Sequence, residues 1–193
     1  MRAGEPGFLV TGPGRSGTKH LAAVLRRCGL KVGHEDWWTL EHHGPVPGLD
    51  GDVSWLGCFD EGYTGRVLAQ TRDPQTCVPS IAANLYVHPW WLVRSQRVAL
   101  TGDKAVDACR IWATWTERAW DRAESRWHVE DLDAALLARV FSVDPRRAED
   151  SLRLTSKRLN HRAGTRGFVW PDHPATAEVE RVSRLVGYGR IDP

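Results

Sequence analysis

The chain has 193 residues, enough for one well-buried core, and its 26 Lys and Arg against 24 Asp and Glu leave a net charge of +2. That balance gives no general argument for a nucleic-acid partner or an acidic membrane surface, and no apolar run resembles a signal peptide or a membrane span. The four cysteines (Cys28, Cys58, Cys77, Cys109) lie far apart without CxxC or His spacing. They read as reduced, mostly buried residues of a cytoplasmic protein rather than disulfides or metal ligands.

Phe8-Leu9-Val10 predicts a short buried strand. A turn with three glycines follows (Gly12, Gly14, Gly17), and then a helix in which Leu21, Val24, Leu25 and Cys28 recur at i, i+3, i+4 and i+7. A strand feeding a Gly-rich turn that opens a helix is a phosphate cradle. Glycine lets the backbone approach an anion closely, and the free N–H groups and positive dipole end of the helix point at it. Arg15 adds a fixed charge that can fork onto phosphate or sulfate oxygens. The spacing Gly12-x4-Gly17 is that of a nucleotide P-loop, but Thr18-Lys19 follow in reversed order. An NTPase needs Lys directly after the glycine and then Ser or Thr for magnesium.

Gly29 stops this helix, and Leu30-Lys31-Val32 is expected as a second short strand. It ends at Gly33-His34-Glu35-Asp36, with three consecutive titratable side chains. From Trp37 to Gly65 the chain is irregular and rich in Gly, Pro, His and Trp, a length that inside a compact domain is usually functional. Gly51 to Trp55 reads as a brief turn and strand within it. Arg66 to Thr71 is a buried strand ending at Arg72-Asp73-Pro74, and Pro74 suits the first position of a helix reaching Leu85. A second irregular segment runs from Tyr86 to Asp103. Asp103 then caps a helix over about 104–124, whose Cys109 and Trp112 lie on an apolar stripe. Arg126 to Glu130 resembles a strand, followed by a helix carrying Leu132, Leu136 and Val140 and by a short helix near 144–154. Ser156 to Asp172 reads as a basic loop, and Pro174 starts a last helix. The alternation of strands and helices predicts an α/β chain: a single three-layer domain over residues 1–193 around a central, mostly parallel sheet.

Several of these residues together resemble the sulfotransferases that use 3′-phosphoadenosine 5′-phosphosulfate (PAPS). Gly12-Pro13-Gly14-Arg15-Ser16-Gly17-Thr18 is similar to that family's 5′-phosphosulfate loop, in which Arg or Lys precedes Ser-Gly-Thr after the first strand. Arg72-Asp73-Pro74 with Ser80 looks like its 3′-phosphate site, an Arg at a strand end and a Ser eight residues later on the next helix. Arg162-Ala163-Gly164-Thr165-Arg166-Gly167 is a weaker match to the late segment that folds over the 3′-phosphate and adenine, with Ala163 where the family has Lys. Val129-Glu130-Asp131-Leu132 looks like a structural strand-to-helix element of the family. The resemblance touches nearly the whole chain in the right order.

What it implies is sulfuryl transfer from PAPS to a hydroxyl acceptor such as a carbohydrate or phenol, leaving 3′,5′-ADP, without a metal. Gly12, Gly14, Arg15, Ser16, Gly17, Thr18 and Lys19 would bind the 5′ end. Arg72 and Ser80, with Arg162, Gly164 and Arg166, would bind the 3′ end. In-line transfer depends on positioning and electrostatic stabilisation, and the acceptor must lose a proton to a base. Glu35 is the preferred base, matching a Glu after the second strand in some family members, with His34 as orienting neighbour or rival. Trp37, Trp38, Trp55, Trp90 and Trp91 are candidates for an acceptor cleft. Trp112 and Trp115 read as core or nucleotide packing, and His42-His43 has no third ligand at a metal-binding spacing. The alternatives are a P-loop kinase or NTPase, and a nucleotide-binding relative without catalysis. The chain is short for the family, so a homodimer could complete the acceptor site.

Overall fold

Alternation within two short strands decides the architecture. The computed structural model describes residues 7–36, 48–85, 98–155 and 167–191. In strands β1 (Phe8–Thr11) and β4 (Arg66–Thr71), side chains point to opposite faces of the sheet in turn. Leu9, Val67 and Ala69 join one buried cluster, whereas Phe8, Val10 and Leu68 join another. Apolar residues on both faces demand cover on both, which is the requirement of a parallel sheet inside an α/β fold.

Three further strands complete it: β2 (Val32–His34), β3 (Gly51–Val53) and β5 (Ser125–His128). The order is β2-β3-β1-β4-β5, and every pair is parallel. On the Leu9 face lie α2 (Pro74–Asn84), α3 (Lys104–Arg122) and α6 (Pro174–Leu185). The opposite face carries α1 (Thr18–Arg27), α4 (Ala134–Phe141) and α5 (Pro145–Leu154). The result is a three-layer α/β arrangement. No helix among the described residues is long and apolar enough to cross a membrane.

The helix signals in the sequence act as expected. Leu21, Val24, Leu25 and Cys28 are all buried on one face of α1, and Gly29 ends that helix at a φ of 95°. Asp73, Asp103, Asp133, Asp144 and His173 each accept an N–H from the first turn of the helix that follows. The strands shift more. β2 begins at Val32 rather than Leu30, because the N–H of Lys31 is taken by the Asp50 carboxylate at 2.7 Å. β5 stops at His128, and the chain turns through a short 3-10 helix, Val129–Asp131, instead of continuing extended to Glu130. α4 starts at Ala134, where the Asp133 carboxylate accepts the Leu136 N–H at 2.7 Å, rather than at Leu132.

The tryptophans divide. Trp112 and Trp115 are fully buried core residues. Trp55 is only 4% exposed, lies 5.8 Å from the Trp115 ring, and its carbonyl accepts the Trp115 indole N–H at 2.8 Å. It is therefore a core residue and not the wall of an acceptor cleft. Trp37, Trp38, Trp90, Trp91, His42 and His43 lie outside the described residues. All four cysteines are free, buried thiols, and burial pushes Cys58 and Cys109 up to about 12.

Leu68 sits in β4 with no exposed surface. Leu68→Ala should cost about 2–5 kcal/mol of unfolding free energy through lost burial and a residual cavity. Urea denaturation reads this directly, and a loss under about 1 kcal/mol would contradict the packing described.

Candidate functional site

The chain leaves β1 toward β2 on one side of the sheet and leaves β4 toward β5 on the other. Between the carboxyl ends of two such neighbours lies the crevice where open α/β sheets bind ligands. The loop from Gly12 to Gly17 and the turn Arg72-Asp73 meet there.

Close backbone approach sets the loop. A Cβ on Gly12 would lie 1.9 Å from the Gln70 carbonyl oxygen, so only glycine lets the chain leave β1 against β4. The loop's carbonyls are then held from outside. Gln70 Nε2 donates to the Ser16 carbonyl at 2.5 Å, Arg72 Nη1 to the Arg15 carbonyl at 3.3 Å, and the Cys77 thiol to the Gly14 carbonyl at 3.6 Å. Across a planar trans peptide the following N–H points the opposite way. The N–H groups of Arg15 and Gly17 are thus turned away from β4 and α2, while that of Ser16 closes the turn on the Pro13 carbonyl at 3.2 Å. Gly17 is the N-cap of α1 at a φ of 84°, and α1 alone among the described α-helices begins with no side-chain cap. Its positive end also has no acidic residue in the first turn.

Side chains converge on the same place. Arg15 is half-buried, and its Nε donates to Ser80 Oγ at 3.1 Å. The two motifs that sequence assigns to opposite ends of a ligand are therefore one hydrogen-bonded cluster of Arg15, Arg72 and Ser80. Ser16 Oγ is buried and has no hydrogen-bond partner among the described residues. A hydroxyl left so costs about 1–3 kcal/mol, which an incoming acceptor can offset. Lys19 is exposed beyond the loop. Arg162, Gly164 and Arg166 lie outside the described residues.

A second group lies across α1. Thr18 Oγ1 and His34 Nε2 share a hydrogen bond at 3.3 Å, and His34 Nε2 is 3.9 Å from Glu35 Oε1. Burial holds His34 below its ordinary value, and the charges of Lys19 and Arg26 push the same way against Asp36. The imidazole is thereby neutral at pH 7 and able to accept a proton. Backbone strain falls here too. The non-glycine residues with positive φ are Arg15 (76°), Glu35 (62°) and Ser142 (56°) among the described residues, so two of the three lie at this site. Each costs about 1–2 kcal/mol, which surrounding contacts must hold in place.

Sequence reasoning missed Gln70 and Tyr188, and it placed Glu130 only in a structural strand-to-helix element. Gln70 is fully buried and bridges the Ser16 carbonyl and the Trp127 indole N–H, which it accepts at 3.1 Å. Its signal was a lone amide inside the apolar run of β4. Glu130 accepts the Asp73 N–H at 3.3 Å and the Tyr188 hydroxyl at 2.8 Å. Burial, reinforced by the Glu130 charge, pushes the Tyr188 phenol up and keeps it a donor. Neither residue carries a spacing that announces this pairing.

A groove of about 490 Å³ also runs along the β5 edge, lined in part by Trp120, Arg126, His128, Asp131 and Asp133. Its polar groups already serve the fold. Arg126 donates to the Trp120 carbonyl, His128 pairs with Asp131, and Asp133 caps α4. No family model matches the chain, and no curated protein or solved structure matches it either.

Gly12→Ala must separate the loop from β4, given the 1.9 Å contact its methyl would make with backbone. A lowered melting temperature is expected, and a wild-type value would refute the close approach. His34 yields a pH signature. Its folded-state value lies below 6.5, so the unfolded chain binds the proton more readily. The stability this group contributes is complete above about pH 6.5 and is lost as pH falls through the lowered folded value. Between about pH 7.5 and about pH 5.5 the urea midpoint should drop further for wild type than for His34→Gln. Equal drops would show that His34 is not held neutral.

Proposed function

We propose that this chain transfers a sulfuryl group from PAPS to a hydroxyl acceptor. The observation that carries the reading is the cluster in which Arg15, Arg72 and Ser80 close on the uncapped start of α1, beside the unpartnered Ser16 hydroxyl. Two guanidinium groups, hydroxyls and a helix N-terminus fit an extended polyanion carrying phosphate at two positions. The order Thr18-Lys19 also supports it. The Thr18 hydroxyl is engaged with His34, where a nucleotide P-loop would turn a hydroxyl to magnesium.

PAPS supplies an activated sulfur whose bond to the 5′-phosphate oxygen breaks as the acceptor oxygen attacks, with 3′,5′-ADP leaving. The protein's part is to hold charge and move one proton. Arg15 and the amides at the start of α1 bind the 5′-phosphate and stabilise the negative charge that grows on it as the bond breaks. Arg72 and Ser80 anchor the 3′-phosphate, which fixes the alignment. Glu35 takes the acceptor's proton, and His34, kept neutral beside it, orients the carboxylate or shares the proton. The acceptor is a hydroxyl compound.

Calorimetry with 3′,5′-ADP tests the reading. Binding should be independent of magnesium and should weaken about 10–100-fold in Arg72→Ala, the equivalent of losing charge-assisted hydrogen bonds. A preference for Mg-ATP would overturn it in favour of a kinase or NTPase. In a sulfate-transfer assay over an acceptor panel, Glu35→Gln should lower turnover about 100-fold or more with nucleotide affinity preserved. Unchanged turnover removes Glu35 as the base, and no transfer by the wild type with tight 3′,5′-ADP binding would mark a non-catalytic nucleotide-binding protein.

A further inference from the structure

Arg72 is the first residue past β4, and its main chain is held on both sides by other elements. Its carbonyl accepts the Trp112 indole N–H from α3 at 3.3 Å. The next amide, that of Asp73, donates to Glu130 Oε1 at 3.3 Å. Glu130 belongs to the 3-10 turn after β5, and its other oxygen accepts the Tyr188 hydroxyl at 2.8 Å. Tyr188 is itself placed from three directions. Its N–H bonds the Ser183 carbonyl at the end of α6, its ring lies 4.2 Å from that of His128, and Thr71 Oγ1 donates to its phenol oxygen at 3.4 Å. A polar chain thus runs from the end of α6 to the peptide beside Arg72.

The charge of Glu130 makes this arrangement informative. A carboxylate close to an anion site weakens anion binding by repulsion, so its presence needs a geometric reason. Here both oxygens are engaged as acceptors, one of them on the peptide that carries Arg72 into the loop cluster. The same peptide leads into the Asp73 cap of α2, the helix whose Ser80 meets Arg15.

We propose that Glu130, oriented by Tyr188, is a positioning residue for Arg72. It fixes the Arg72–Asp73 peptide so that the guanidinium stands beside Arg15, and it thereby sets how strongly the site distinguishes a nucleotide with a second phosphate from one without. The inference rests on the nucleotide reading above.

Calorimetry of the full chain with 3′,5′-ADP and with 5′-AMP tests it. Glu130→Ala should weaken 3′,5′-ADP binding about tenfold while leaving 5′-AMP within about twofold. Tyr188→Phe should move affinity the same way by less. Glu130→Gln keeps an acceptor for the Asp73 N–H and removes the like charge, so it should bind 3′,5′-ADP as tightly as wild type or more tightly. In an Arg72→Ala background, Glu130→Ala should add nothing, because the two residues act as one unit. Equal losses for both nucleotides, additive losses in the double variant, or failure of the Gln variant to restore binding would each overturn the proposal. Amide hydrogen exchange gives a reading without ligand. The Asp73 N–H should exchange faster in Glu130→Ala and at the wild-type rate in Glu130→Gln, and unchanged exchange in the Ala variant also overturns it. A wild-type chain that binds neither nucleotide defeats the nucleotide reading, while exchange still decides whether Glu130 holds the peptide.

Discussion

Parallel pairing of β1 with β4 brings together two segments that are some sixty residues apart in sequence. Val10 stands opposite Leu68 and Thr11 opposite Ala69, so β1 ends two residues short of the end of β4 and the two following loops open at the same edge of the sheet. Everything at the candidate site depends on that register. The absent Cβ of Gly12 lets the first loop lean on the Gln70 carbonyl, and the Gln70 side chain then takes the Ser16 carbonyl. A slip of one residue would turn Gln70 to the other face of the sheet and remove the loop's main support.

Much of the frame was legible in the chain itself, because it rests on local chemistry. The 3.6-residue spacing of Leu21, Val24, Leu25 and Cys28 and the caps at Asp73 and Asp103 need only their neighbours to act. The strands were read less sharply. β2 is three residues long, and its start depends on Asp50, which is distant in sequence from Lys31 and takes that residue's amide. By sequence Trp55 is an acceptor-cleft candidate because it lies in the irregular segment from Trp37 to Gly65, yet it follows β3 directly into the core, against Trp115.

At the site, residue type and spacing pointed to Arg15 and to the titratable run at His34, the resemblance added Arg72, Ser80 and the preference for Glu35, and the fold gathers these into two groups. What the sequence could not display is which polar atoms pair. Arg15 reaching Ser80, Gln70 reaching Ser16 and Glu130 reaching Asp73 are contacts across elements, fixed by packing rather than by motif. Glu130 is the clearest instance: its neighbours mark a strand end, whereas its partners are Asp73, in the turn after β4, and Tyr188, beyond α6.

Arg15 carries a consequence for how stability is distributed. It holds a left-handed backbone conformation at 76° that glycine would adopt without strain, so the position stores local strain of about 1–2 kcal/mol that the surrounding contacts hold in place. Glu35 is in the same situation at 62°. The strain thus falls at the end of the sheet that carries the loops, held against the two apolar layers that flank the sheet. An anion that bound between Arg15 and the start of α1 would offset part of that strain, and resistance to heat would then rise with the concentration of that anion.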